Sequence, residues 1–263
     1  MALKKNRKPP MTGTDKSIPI APAGGPVVIL VDPQMGENIG ATERAMLNCG
    51  LTELRLVNPR DGWPNERAHS MSSGALDRMP PVQVFATAAE AIADLHYVYA
   101  TTARPRDMVK DVFTPRTAAD DMRVRHDRGE RIGLMYGAER MGLVNEDVAL
   151  ASAVITIPLN PGFSSLNLGQ AVLLTCYEWL MTGDQTPGQQ LVIGDAPPAT
   201  QGDMDALYQR LETELEERRF FRAAEMKPTV VRNLRALLVR AQMTQQEVNT
   251  FHGVISALIG KKL

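Results

Sequence analysis

Short apolar runs alternate with amphipathic stretches over the first two thirds of the chain. Val27–Val31 is apolar at every position, the pattern of a parallel strand buried on both faces. Leu54–Val57, Val82–Phe85, Tyr97–Thr101, Ile132–Tyr136 and Val154–Ile157 are further short segments rich in β-branched and aromatic residues. Between them lie predicted helices. Asn38–Asn48 carries Ile39, Ala45, Met46 and Cys49 on its apolar side. Glu66–Ser73, Ala88–Leu95, Pro115–Asp127, Asn145–Ala151 and Leu166–Met181 follow, and Thr87 with Glu90 three residues on forms a capping box before the second of these. Strands alternating with helices predict an α/β fold, a mainly parallel sheet with helices on both faces. In such folds the loops that meet ligands gather at the carboxyl ends of the strands.

The pattern changes after Thr182. Residues 183–202 are rich in Gly, Pro, Gln and Asp without periodicity, which reads as a linker. Residues 203–263 then read as a small all-helical appendage of three helices. Asp205–Phe221 has Leu207, Leu211 and Leu215 at helical spacing, and Pro228–Ala241 has Val231, Leu234 and Leu238 on one face. The third helix is opened by the Thr244/Glu247 capping box. At the other end, residues 1–26 form a Lys-, Pro- and Gly-rich arm ahead of the α/β domain at residues 27–182. That arm is either a solvated tail or a tethered RNA contact.

Composition excludes several classes. The formal net charge is −1, so nucleic-acid binding must come from local patches. One such patch runs through Arg218, Arg219, Arg222, Lys227, Arg232, Arg235 and Arg240 against Glu225 alone, with Phe220 and Phe221 interleaved. It fits phosphate contact plus base stacking, or a solvated helical face with a Phe pair in the core. The four histidines are scattered without metal-ligand spacing, so no metal is expected. Cys49 and Cys176 could form a disulfide on count alone, but their apolar settings favour two buried free thiols in a reducing compartment. No apolar run is long enough to span a membrane, and the expected location is the cytoplasm.

Four loops at predicted strand ends carry candidate chemistry. In the first, Asn38 sits near a helix start, where asparagine commonly caps. Arg44 lies six residues on, so both can face one mouth. Arginine stays charged and offers five donors, suited to a phosphate or a developing oxyanion, although a surface ion pair is equally open. The second loop is Thr101-Thr102-Ala103-Arg104-Pro105-Arg106, small residues followed by two arginines, or simply an exposed basic loop. The third, Tyr136 to Leu143, has Gly137 and Gly142 for tight turns, without the dinucleotide-binding glycine pattern. The fourth runs from Ile157 through Ser164, Ser165, Leu166 and Asn167 into an apolar helix. It holds no lysine and no P-loop glycines, which argues against a nucleoside triphosphate.

Taken in order, Asn38-Ile-Gly-Ala with Arg44, Tyr136-Gly-Ala-Glu139-Arg-Met-Gly-Leu143, and Ile155-Thr-Ile-Pro-Leu with Ser164-Ser165-Leu166-Asn167-Leu168 resemble the three motifs of the SpoU/TrmH branch of the SPOUT RNA methyltransferases. The resemblance covers roughly residues 27–182. It implies a trefoil-knotted α/β fold, an exception to the usual absence of knots, and an obligate homodimer whose sites draw on both subunits. It implies S-adenosyl-L-methionine as donor and 2′-O-methylation of a tRNA ribose, with nucleotide 32 of the anticodon loop, a cytidine or uridine, as target in the members it resembles most. Ribosomal RNA is the alternative substrate, and a non-catalytic RNA-binding protein of the same fold the alternative class. Arg44, Asn38, Ser165 and Asn167 would then be catalytic. Thr101, Thr102, Ala103, Gly137, Ile157, Ser164, Ser165 and Leu166 would bind the donor. Arg104, Arg106, Arg218, Arg219, Arg222, Arg232 and Arg235 would contact RNA. Ala138 departs from relatives that carry a larger polar residue there.

Overall fold

The computed structural model describes residues 24–102, 108–189, 195–221 and 223–260. They fall into two compact units divided between Gln185 and Thr186. The first is built on seven strands: β1 (Val27–Val31), β2 (Leu54–Val57), β3 (Gln83–Phe85), β4 (Tyr97–Thr101), β5 (Val112–Phe113), β6 (Ile132–Tyr136) and β7 (Ala153–Ile155). All pairings are parallel, in the order β3-β2-β1-β6-β4-β7-β5. The chain builds outward from β1 to β3, then crosses to the other side, and β6 inserts between β1 and β4. That reversal is where parallel sheets open a crevice at their carboxyl ends.

Residues on β1 alternate between two cores. Val28 and Leu30 pack with α1 (Gly36–Asn48), α2 (Glu66–Met71), α4 (Pro115–Asp127) and α6 (Leu168–Met181). Val27, Ile29 and Val31 pack with α3 (Ala88–Ile92) and α5 (Asn145–Leu150) on the opposite face. Cys49 and Cys176 are buried free thiols of the first core.

One strand of this unit goes beyond the sequence expectation and two helix starts move, each for a local reason. Strand β5 is too short to form an apolar run; it is held by backbone bonds such as Val154 N–H to Asp111 O. Helix α1 begins at Gly36 with Met35 as its cap residue, so Asn38 lies inside the first turn and does not cap. Helix α6 begins at Leu168 because Asn167 caps it, its side chain accepting from the N–H groups of Gly169 and Gln170.

The second unit packs α7 (Gln201–Glu217), α8 (Lys227–Arg240) and α9 (Gln245–Leu258) around Leu207, Tyr208, Leu238, Val248 and Ile255. Reciprocal capping boxes open α7 at Thr200/Asp203 and α9 at Thr244/Glu247. The first of these sets the start of α7 four residues earlier than the leucine spacing suggests.

Two buried charges of the first unit are treated in opposite ways. Arg55 on β2 is paired with Glu53 and Asp94, at 2.6 and 2.5 Å. The hydrogen bond from Arg55 holds the Asp94 carboxyl down at about 2. Glu43 on α1 is fully buried, and neither of its carboxylate oxygens has a hydrogen-bond partner among the described residues. Burial pushes its carboxyl up from 4.5 to about 8. Because the folded value lies above the unfolded one, stability is full below about pH 4.5 and is lost as pH rises through about 8. Denaturant melts are expected to show wild-type stability falling by on the order of a few kcal/mol between these limits, whereas Glu43→Gln stays flat. An equal slope in both proteins would contradict this.

Candidate active site

Three loops at the carboxyl ends of β4, β6 and β7 enclose a cavity of about 430 Å³. Thr101 and Thr102 form one wall, Tyr136 to Gly142 a second, and Ile157, Leu159, Ser164 to Leu166 and Leu168 a third. The Thr102 N–H donates to Ile155 O, and the Thr156 hydroxyl donates to Thr102 O at 3.2 Å, stitching the first wall to the third. Beneath the floor, the Tyr136 hydroxyl hydrogen-bonds Thr175 of α6. Complete burial raises that phenol far above its usual range, so it stays neutral.

The second wall turns back on itself. A Cβ at Gly137 would lie 2.1 Å from the Gly142 carbonyl carbon and the Leu143 nitrogen, so only glycine fits there. The turn aims the Glu139 carboxylate at the first loop. Its oxygens accept from the N–H of Gln34 at 2.9 Å, the N–H of Met35 at 3.2 Å and Asn38 Nδ2 at 2.8 Å. Asn38 Oδ1 in turn accepts from Asn167 Nδ2 at 2.9 Å, and Asn167 Oδ1 caps α6. Residues more than a hundred positions apart are thus joined in one chain: Glu139, Asn38, Asn167, α6. Sequence reasoning gave Glu139 no role. The available signal was a carboxylate set between two glycines at a strand end, in a fold that brings an asparagine-bearing loop opposite.

Of the residues expected to bind a cofactor, Thr101, Thr102, Gly137, Ile157, Ser164, Ser165 and Leu166 all line the cavity; Ala103 lies outside the described residues. Among the described lining residues only Glu139 and Arg140 carry charge, and Glu139 is engaged with the first loop. Small residues, serines and backbone groups beside Ile157, Leu159 and Leu166 fit a nucleoside donor without phosphates.

Arg44 is not among the cavity residues. It is exposed on α1, its guanidinium donating to the Ser73 hydroxyl at 3.2 Å. Asn38 and Arg44 therefore do not share a mouth within one chain: Asn38 is 8% exposed and turned into the clamp. Arg104, Arg106 and Arg222 lie outside the described residues.

In the helical unit much of the basic surplus is answered by α7. Arg218 pairs with Glu214 at 2.6 Å, and Lys227 with Glu216 at 2.8 Å and Glu212 at 3.4 Å. Arg235 lies 5.3 Å from the centre of the Tyr208 ring. Arg219 and Arg232 are exposed, Arg232 donating to Pro228 O and the Thr229 hydroxyl of its own helix. Phe220 is 53% exposed and meets Phe221 edge-on at 5.4 Å. Among the described residues there is no group of His, Cys, Asp or Glu that could hold a metal ion, and no helix long and apolar enough to cross a membrane.

Comparison with known proteins places this geometry. Residues 25–177 match the model of the SpoU rRNA Methylase family, and residues 202–262 that of the tRNA methyltransferase TrmJ, C-terminal domain. The chain is 34% identical over 236 residues to the tRNA (cytidine/uridine-2′-O-)-methyltransferase TrmJ of Escherichia coli, covering 88% of this chain and 94% of the relative. The crystal structure of TrmJ from Z. mobilis superposes with a TM-score of 0.78 at 46% identity, covering 89% of this chain and 98% of that one. AviRb from Streptomyces viridochromogenes, a SpoU methyltransferase solved with AdoMet, shares the fold at 20% identity and a TM-score of 0.50, over 69% of each chain. With two of its motif loops lining one cavity, the first tied to them through Asn38, and the family model matched over more than half its length, the chain belongs to the SpoU methylase family.

Proposed function

We propose that this protein is a cytoplasmic S-adenosyl-L-methionine-dependent methyltransferase that methylates the 2′-hydroxyl of a tRNA ribose, at cytidine or uridine 32 of the anticodon loop. The observation that carries the reading is the lysine-free cavity walled by the second and third motif loops and by Thr101 and Thr102, with Asn38 of the first motif clamped to Glu139 behind it. The names of the relatives support tRNA as substrate and the 2′-oxygen as acceptor. The trefoil knot belongs to the same reading.

When bound, S-adenosylmethionine supplies a methyl group on a sulfonium sulfur. Thr101, Thr102, Gly137, Ile157, Ser164 and Leu166, with Ala103 beyond the described residues, hold it by backbone groups and apolar contact. Ser165 orients the target ribose. Asn38 and Asn167 act as positioning residues: their amides are spent on each other, on Glu139 and on α6. What remains is to bring the 2′-oxygen into line with the methyl carbon and to stabilise the charge it develops as its proton leaves. Arg44 performs that task as a fixed cation, since a guanidinium is not deprotonated at working pH.

Arg44 is exposed on its own chain and absent from its own cavity. We therefore assign it to the cavity of a second subunit in a homodimer. The exposed apolar residues Leu173, Leu174, Tyr177 and Met181 of α6, 40–49% exposed, support a face that pairs with another copy. Arg104 and Arg106, and Arg218, Arg219, Arg222, Arg232 and Arg235 of the helical unit, would meet RNA phosphates. The ion pairs on α7 point to Arg219 and Arg232 ahead of Arg218.

Arg44→Ala is expected to lower methyl transfer to unmodified tRNA by at least ~100-fold while calorimetry shows donor affinity little changed; full activity would remove Arg44 from the reaction. Nuclease digestion of the product should yield 2′-O-methylcytidine or 2′-O-methyluridine. A methylated base, or label accepted by ribosomal RNA alone, would overturn the assignment.

Subunit mixing tests the shared site. Arg44→Ala and Ser165→Ala homodimers should each be nearly inactive. Unfolding and refolding them together should regain activity, because each mixed dimer holds one site with both residues intact. No recovery would place Arg44 and Ser165 in the same subunit's site.

A further inference from the structure

A second cavity, about 400 Å³, lies beside the start of α1 and is lined by Trp63, Pro64, Asn65, Glu66, His69 and Leu76. It belongs to the loop after β2 and to α2, which the proposed reaction leaves without a role. Trp63 is half-buried: it packs on the main core and also lines this cavity. The only other tryptophan, Trp179, is 3% exposed.

Two contacts tie this cavity to the proposed active site. Arg60 Nη2 donates to Gln34 O at 2.8 Å, and the N–H of the same Gln34 is held by Glu139. Gly36, the first residue of α1, packs so closely that a Cβ there would lie 2.2 Å from Asn65 Oδ1. The cavity wall and the Asn38 clamp therefore share the first turn of α1. Two residues past α2, Ser73 accepts from Arg44. The loop before the cavity and the turn after α2 thus make contact with the Gln34 segment and with Arg44 respectively.

The chemistry around the indole is that of single-stranded RNA recognition. A ring on a cavity wall offers a stacking surface to any base, and neighbouring guanidinium groups serve phosphates. Arg60 is 61% exposed and uses Nε on Asp61 and Nη2 on Gln34 O, leaving Nη1 unengaged among the described residues. Glu66 lines the cavity and disfavours a phosphate there, whereas Arg60, three residues before Trp63, has Nη1 to offer one. We propose that this cavity receives an unpaired base flanking the methylated nucleotide, stacked on Trp63 with its phosphate on Arg60. The proposal rests on the RNA methyltransferase reading and adds to it a site that fixes the strand beside the target ribose.

The test uses the full-length protein and an unmodified tRNA transcript. Because Trp63 also packs on the core, the conservative Trp63→Phe is measured beside Trp63→Ala. Tryptophan fluorescence of the wild type should be quenched as tRNA is added. The quenching should vanish in Trp63→Phe, which leaves only buried Trp179, and its KM should rise less than that of Trp63→Ala because a smaller stacking ring remains. Trp63→Ala should raise KM for tRNA about tenfold or more with S-adenosylmethionine affinity unchanged. Arg60→Ala should raise KM and lessen its dependence on salt. Unchanged KM in Trp63→Ala and Arg60→Ala, or quenching that persists in Trp63→Phe, would overturn the site. A wild-type enzyme that methylates no tRNA would overturn the function proposed above. The quenching titration needs no turnover, so it decides the Trp63 site separately.

Discussion

The Glu139 carboxylate takes two backbone N–H groups and the Asn38 amide, and Asn38 passes the connection to Asn167 at the head of α6. Hydrogen bonds to an ionised carboxylate are among the stronger ones a protein makes. This set draws the loops after β1, β6 and β7 to one point, although a parallel sheet by itself leaves its strand-end loops free to diverge. The cavity walls, the start of α1 and the start of α6 all depend on it. Gly137 makes it feasible, because the turn that delivers Glu139 leaves no room for a side chain.

With the asparagines committed to position, the burden of chemistry moves to groups that the clamp does not consume. Ser164 and Ser165 remain exposed at the mouth, and Arg44 remains exposed on α1. A single chain offers a donor pocket at one place and a fixed cation at another, which is the arrangement a two-fold pair of subunits would complete. The Trp63 cavity fits the same logic, since it is anchored to the segment, Gln34 to Gly36, that the clamp holds.

Much of this was legible in the chain. Val27–Val31 and Ile132–Tyr136 announce buried strands because parallel strands covered on both faces must be apolar throughout. The motif loops at Tyr136–Leu143 and Ile157–Asn167 were recognisable from their small and polar residues at strand ends. Other features were not legible, for physical reasons. Asn38 reads as a helix cap because local sequence records only nearby partners; its actual partners lie 101 and 129 positions away. Helix α1 starts early because Glu139, in the loop after the neighbouring strand β6, holds Gln34 and Met35. The basic run of the helical unit looked unopposed because Glu212, Glu214 and Glu216 lie before it on α7; Glu214 reaches Arg218 along the helix, and only the fold brings Lys227 to Glu212 and Glu216. Cavities such as that of Trp63 leave no periodic trace at all.

The most direct measurement is a double-mutant cycle on donor affinity, with S-adenosylmethionine titrated calorimetrically into wild type, Glu139→Gln, Asn38→Ala and the double variant. If the clamp shapes the donor pocket, each single change weakens binding roughly 10- to 100-fold, and the double variant is little worse than the weaker single one, since either change already breaks the chain. Unchanged affinity in the single variants, or losses that simply add in the double variant, would contradict it.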